Sequence, residues 1–151
     1  MTVHLSPHFS LAELCASETA ERLGIDNTPP APVVANLRRL ANTLEQVRAL
    51  VNAPLNVNSG FRCIRLNRVL KSGDNSAHVS GLAADFIAPR FGTPLEVCEE
   101  IHRSDIEFDQ LIHEFGGWVH LGLKPDGMRP RRELLTIDRQ GTRPGLLAAR
   151  T

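Results

Sequence analysis

The sequence predicts an α+β fold, a small, mainly antiparallel sheet with N-terminal helices packed against it. Three observations predict it. An apolar stripe at helical spacing comes early, over residues 34–51. Short segments with strand alternation come later, separated by turns. Two of them, 108–114 and 118–123, flank Gly116 and Gly117, a hairpin signal. Helices first and hairpin-paired strands afterwards read as α+β rather than as repeated βαβ units.

Each element has its own signal. Ser10 precedes Leu11, and Glu13 stands three after Ser10, the capping-box spacing, so a short helix is predicted over 11–17. A second covers 18–23 and ends near Gly24. Pro29, Pro30 and Pro32 make a stiff connector. Val34, Leu37, Leu40, Leu44, Val47 and Val51 then recur at three- and four-residue steps, with Arg38, Arg39, Glu45 and Arg48 mostly off the stripe. That is a core-packing helix with a solvated back face. Pro54 stops it. Residues 55–58 alternate as a strand, and 61–71 read as a helix with Leu66 and Leu70 on one face. A polar loop over 71–76 leads to a strand at 81–87 and to a helix at 94–102 capped by Thr93. Residues 134–137 are expected to add an edge strand. The chain ends, 1–8 and about 140–151, are expected to be loosely ordered.

Length and composition bound the function. The 151 residues suit one domain, 1–151. With 42% hydrophobic and 23% charged residues, wholesale disorder is excluded. Lys plus Arg equals Asp plus Glu at 17 each, so the basic excess of a general nucleic-acid binder is missing and no nucleic-acid partner is expected. Basic residues do gather after residue 123, seven against three acidic ones. No apolar run reaches the roughly 18 residues of a membrane span. Residues 1–10 lack a signal-peptide pattern, so the protein is expected to be made in the cytoplasm, and a monomer is expected. Cys15, Cys63 and Cys98 show no CxxC spacing, which argues against a disulfide framework and a zinc ribbon. Cys63 reads as a packing thiol.

Two stretches carry chemistry. In the first, His78 ends a polar loop and Asp85 sits between Ala84 and Phe86 inside an apolar strand. A carboxylate there is costly unless it meets a cation or firm hydrogen bonds. In the second, His120 lies inside an apolar strand and Glu114 ends the partner strand. Two imidazoles and a carboxylate are what a catalytic zinc needs, with a fourth position left for water. Equally, each can be a structural residue held by hydrogen bonds. Hairpin register decides the general base. A three-residue loop, 115–117, pairs Glu114 with Trp118 and puts Glu114 on the face of His120. A two-residue loop pairs His113 with His120 instead, which makes His113 the alternative base.

The pattern Ser76, His78, Gly81, Ala83, Asp85 and Phe86, then Asp109 to Ile112 with Glu114, then Trp118, Val119 and His120, resembles the M15 family of zinc peptidases. These are D-Ala-D-Ala carboxypeptidases and peptidoglycan endopeptidases, many of them phage endolysins. The branch that opens with Phe-Ser-Leu-x-Glu-Leu, here starting at Phe9, is the most similar. That branch also carries Ser59, Gly60, Phe61 and Arg62, then Asn67. The resemblance covers residues 9–123. It implies the hedgehog/D-Ala-D-Ala peptidase-like fold. It implies Zn2+ held by His78, Asp85 and His120, and Arg62 as a contact to substrate or to the developing oxyanion. Ser76 and Trp118 are then candidates to touch substrate. Several branches place the catalytic acid three residues before the last histidine. Gly117 stands there, and Glu114 fits the favoured branch. The implied partner is a peptidoglycan stem peptide, cut after holin-type release in a phage-infected bacterium. A wall-binding module without turnover, or a structural part of a virion, is the alternative.

Overall fold

A computed structural model describes residues 1–151. Two short strands, β1 (His4–Ser6) and β2 (Phe9–Ser10), pair antiparallel and lead into helix α1 (Leu11–Cys15). Helix α2 (Glu18–Leu23) follows at once. The single helix expected over 11–17 stops at Cys15 because Ser17 leaves it to cap α2, its hydroxyl accepting from the Ala20 N–H at 3.2 Å. The Ser10 hydroxyl caps α1 through the Glu13 N–H at 3.1 Å.

Helix α3 (Ala31–Val51) is the long one, with proline in its first turn and Asn52 left-handed at its end. Its buried residues Leu37, Leu40, Leu44, Val47 and Val51 are the predicted stripe. Strand β3 (Asn56–Ser59) comes next, then helix α4 (Ile64–Val69). This helix starts later than the sequence predicts. The Phe61 N–H donates to the Leu14 carbonyl and the Arg62 N–H to the His78 carbonyl, so both residues serve tertiary contacts instead. Cys63 caps α4, its sulfur accepting from the Leu66 N–H at 3.5 Å.

A 3₁₀ turn (Ala77–Ser80) leads to β4 (Ala83–Ile87). Helix α5 (Pro94–Arg103) opens on a reciprocal Thr93–Glu96 capping box. Then come β5 (Gln110–Glu114), β6 (Trp118–Gly122), β7 (Glu133–Asp138) and β8 (Gly141–Pro144).

The main sheet has six strands in the order β3-β4-β6-β5-β7-β8. Its pairings are antiparallel except β5 with β7, which is parallel. Strand β7 is interior rather than the edge. Strand pairing thus reaches into both segments for which the sequence predicts loose ends. One face of the sheet carries Ala84, Phe86, Leu111, Val119 and Leu121, which share a core with α3 and with Val97 and Ile101 of α5. Each such large side chain contributes about 1.5–3 kcal/mol by leaving water. This packed side fixes the strands whose other face carries Asp85, Ile112, Glu114 and His120.

Candidate metal centre

Strand pairing brings the first two groups together. Asp85 of β4 lies directly opposite His120 of β6, which sets His120 Nδ1 2.9 Å from Asp85 Oδ1. The turn before β4 supplies the third. The Ser76 hydroxyl caps the turn by accepting from the His78 N–H at 3.3 Å. Gly81 closes it with φ 70, and a Cβ there would meet Val33 Cγ1 at 2.8 Å, so only glycine fits. The serine, the histidine and the glycine of the motif are thus one turn, its cap, its cargo and its end.

His78 points its Nδ1–H at the Gly60 carbonyl, 2.7 Å away. A carbonyl only accepts, so this bond fixes the tautomer and leaves Nε2 as the free lone pair. Nε2 stands 3.3 Å from Asp85 Oδ2. Burial pushes the His78 pKa down, so the ring is neutral. A bare imidazole lone pair therefore faces a carboxylate oxygen in a buried site. That apposition is unfavourable without a cation between them. Burial would raise the Asp85 pKa, but the two adjoining rings, His120 and His78, outweigh it and hold the carboxyl well below the usual range. Donor atoms of His78, Asp85 and His120 all lie within 4.8 Å of one another, and all three residues are buried. The donor set fits a divalent metal ion.

Arg62 is beside this cluster. Its Nη2 lies 3.4 Å from Asp85 Oδ2, its Nε donates to Ser59 Oγ at 3.0 Å, and its Nη1 to Asn67 Oδ1 at 3.4 Å. Glu114 is on the same face as His120 because the hairpin adopts the three-residue loop, with Glu114 opposite Trp118 and Ile112 opposite His120. Its Oε1 is 3.8 Å from His120 Nδ1. Burial first, and the Asp85 charge second, raise the Glu114 pKa against the pull of His120. Trp118 packs its ring 5.5 Å from Phe115. Its buried indole N–H makes no hydrogen bond, although it lies close enough to Glu114 to draw that pKa down.

The register takes His113 out of the site. It pairs with Val119 on the opposite face, and its Nδ1–H donates to the Leu147 carbonyl at 2.8 Å. Ser76 lines a cavity that also contains His120. Cys63 is a helix cap as well as a packing thiol, while burial pushes the Cys98 thiol up to about 12.

Sequence reasoning missed Asn27, read there only as part of a connector. Its side chain donates to the carbonyls of Cys15 (2.9 Å) and Phe61 (3.0 Å) and accepts from the Cys63 N–H (2.7 Å), clamping the segment that presents Arg62. Its partners lie 12, 34 and 36 residues away, so no local pattern marks it. The Gly60 carbonyl and Asn67 are likewise tertiary partners. Asn67 belonged to the quoted motif, but nothing local gave its role.

A buried cluster of two imidazoles and a carboxylate, with a free carboxylate at its rim, is the arrangement of a metal-dependent hydrolase. Comparison with known families matches residues 7–122 to Peptidase M15. The chain belongs to the M15 peptidase family, whose members are metallopeptidases. No curated protein matches it. No helix is long and apolar enough to cross a membrane.

Proposed function

We propose that the protein is a zinc peptidase that hydrolyses peptide bonds in peptidoglycan stem peptides or their cross-links, and that it serves as a phage or prophage endolysin or as a D,D-carboxypeptidase. The observation that carries the reading is the convergence of His78, Asp85 and His120 within 4.8 Å, inside a chain of the M15 family. His78 through Nε2, Asp85 through its carboxylate and His120 through Nδ1 would hold the ion. Zinc bound there supplies positive charge that makes water more acidic and a carbonyl more electrophilic.

The chain's own residues do the rest. Glu114 accepts the proton of the attacking water and returns it to the leaving amine. Its raised pKa brings it nearer the working pH than an ordinary carboxylate, which favours transfer in both directions. Arg62 offers a planar guanidinium, anchored by Ser59 and Asn67, to a substrate carboxylate or to the developing oxyanion. Cavities of about 560 Å³, lined by Arg62 and Ser59, and about 480 Å³, lined by Ser76 and His120, suit an extended peptide.

The test is digestion of purified sacculi with and without a chelator, read by mass spectrometry. Chelator-sensitive new peptide ends are expected. Loss of terminal D-Ala identifies a carboxypeptidase, cut cross-links a D,D-endopeptidase, and free stem peptides beginning with D-Glu an L-Ala-D-Glu endopeptidase. No release by a zinc-loaded protein would overturn the reading.

A further inference from the structure

The cavity beside His120 is also lined by Asp109, Gln110, Lys124 and Arg131. Its two cations differ. Arg131 is hydrogen-bonded to Asp109. Its backbone N–H and Nε donate to Asp109 Oδ1 at 3.0 Å each, Nη2 donates to Oδ2 at 2.8 Å, and Nη1 stands 3.8 Å from Glu133. These bonds also hold the Asp109 carboxyl below its ordinary range. Lys124 is the opposite case. Its Nζ makes no hydrogen bond, and its one ion contact is Asp109 Oδ2 at 3.9 Å, beyond hydrogen-bond reach. The side chain is only 28% exposed. Arg39 Nη1 donates to the Lys124 carbonyl at 3.0 Å and fixes the backbone beneath it.

A partly covered lysine whose ammonium makes no hydrogen bond is free to pair with an anion. Lys124 also borders a smaller cavity with Arg39 and Glu107, but that one reaches no candidate metal ligand. Both Lys124 and Arg131 lie beyond residue 122, where the family match ends.

We propose that Lys124 is a specificity-determining residue that pairs with a free carboxylate of the peptide bound beside the metal centre. The substrate class is then the acidic stem peptide rather than its amidated form. The inference rests on the peptide-substrate reading above. Two carboxylates of a stem peptide offer the same chemistry, that of D-Glu and that of the C-terminus, and the experiment separates them.

The probes are the peptide L-Ala-γ-D-Glu-L-Lys-D-Ala and its forms amidated at D-Glu, at the C-terminus, or at both. Binding is measured by NMR titration on the zinc-loaded Glu114→Gln protein, which spares the peptides from turnover. Amidation at one position is expected to weaken binding about 10- to 100-fold, the scale of one charge-assisted hydrogen bond. Adding Lys124→Met should erase that difference, and Lys124→Arg should keep most of it. Equal binding of acid and amide forms, no binding of any, or discrimination that survives Lys124→Met would overturn the proposal. Hydrolysis of sacculi by the wild type, run in parallel, reports on the peptidase reading alone. Turnover without carboxylate preference sinks only the Lys124 proposal, and preference without turnover sinks only the peptidase.

Discussion

His78 hands its Nδ1 hydrogen to the Gly60 carbonyl, and that one bond decides what the ring can do. The remaining nitrogen has no hydrogen to offer Asp85, so the pair is complementary to a cation and to little else. Two predictions belong at this scale. Asp85→Ala and His120→Ala should each lose zinc on dialysis and lose activity, checked by metal analysis of the purified protein. Full zinc occupancy in either variant removes that residue from the ligand set. Glu114→Gln should behave differently, because Glu114 stands at the rim rather than among the converging donors. It should keep zinc and lose roughly 10²–10⁴-fold in kcat, the usual scale for a general base. Turnover near wild type would dismiss Glu114 from proton transfer. His113 is no substitute, since its ring faces the other side of the sheet and serves the Leu147 carbonyl.

At the scale of elements, the centre is assembled from a strand pair, a turn and a loop. The strands and the β5–β6 hairpin were legible in the sequence, with two registers open, but the pairing of β4 with β6 was not. Alternation put Asp85 and Ala84 on opposite faces, and the hairpin loop of three residues set Glu114 against Trp118. The loop was not legible. Residues 60–62 look like the start of a helix, yet their backbone is used by Leu14 and His78, which are distant in sequence. Gly60 shows the coupling. A Cβ on it would sit 2.3 Å from the Leu14 carbonyl oxygen, a backbone atom that cannot swing aside. Gly60→Ala must therefore shift the loop off α1, and the loop carries the acceptor that orients His78. The variant should unfold at lower temperature and bind zinc about 10- to 100-fold more weakly, as expected for loss of a bond that orients a ligand. A chelator-competition titration reads the affinity. Wild-type affinity in the folded variant would show that the Gly60 carbonyl does not matter to the metal.

In the whole molecule, every residue of the candidate metal centre lies within the matched stretch 7–122, and the segment after it extends the sheet. The α+β class was readable because hydrophobic periods of 3.6 and 2 are local. The parallel strand was not, because it follows from occupancy. Strand β6 is already flanked by β4 and β5, so β7 takes the free edge of β5 and enters alongside it. The basic excess of this segment was equally visible, but its buried partner was not. Asp138 is covered by Arg143 and Arg150, and it accepts from Arg150 Nε and the Arg150 backbone N–H at 3.0 Å each. These Arg150 bonds, with the Gln140 N–H, hold its carboxyl well below the ordinary range. A depressed folded pKa means the stabilisation is in place above the ordinary value of 3.8 and is lost as pH falls through the lower folded one. Asp138 is thus the anchor that holds residues 139–151 against β7 at neutral pH. Asp138→Asn should lower hydrogen-exchange protection across those residues roughly tenfold or more at pH 7, once the anchoring charge is gone. With intrinsic exchange rates corrected for, the gap from wild type should close as the pH is taken well below 3.8, where Asp138 itself protonates. Zinc content should not change, because His78, Asp85 and His120 stand on β4, β6 and the turn before β4. Equal protection of the two proteins at pH 7 would mean that β8 pairing alone holds the end of the chain, and that the Asp138 ion pairs add nothing to it.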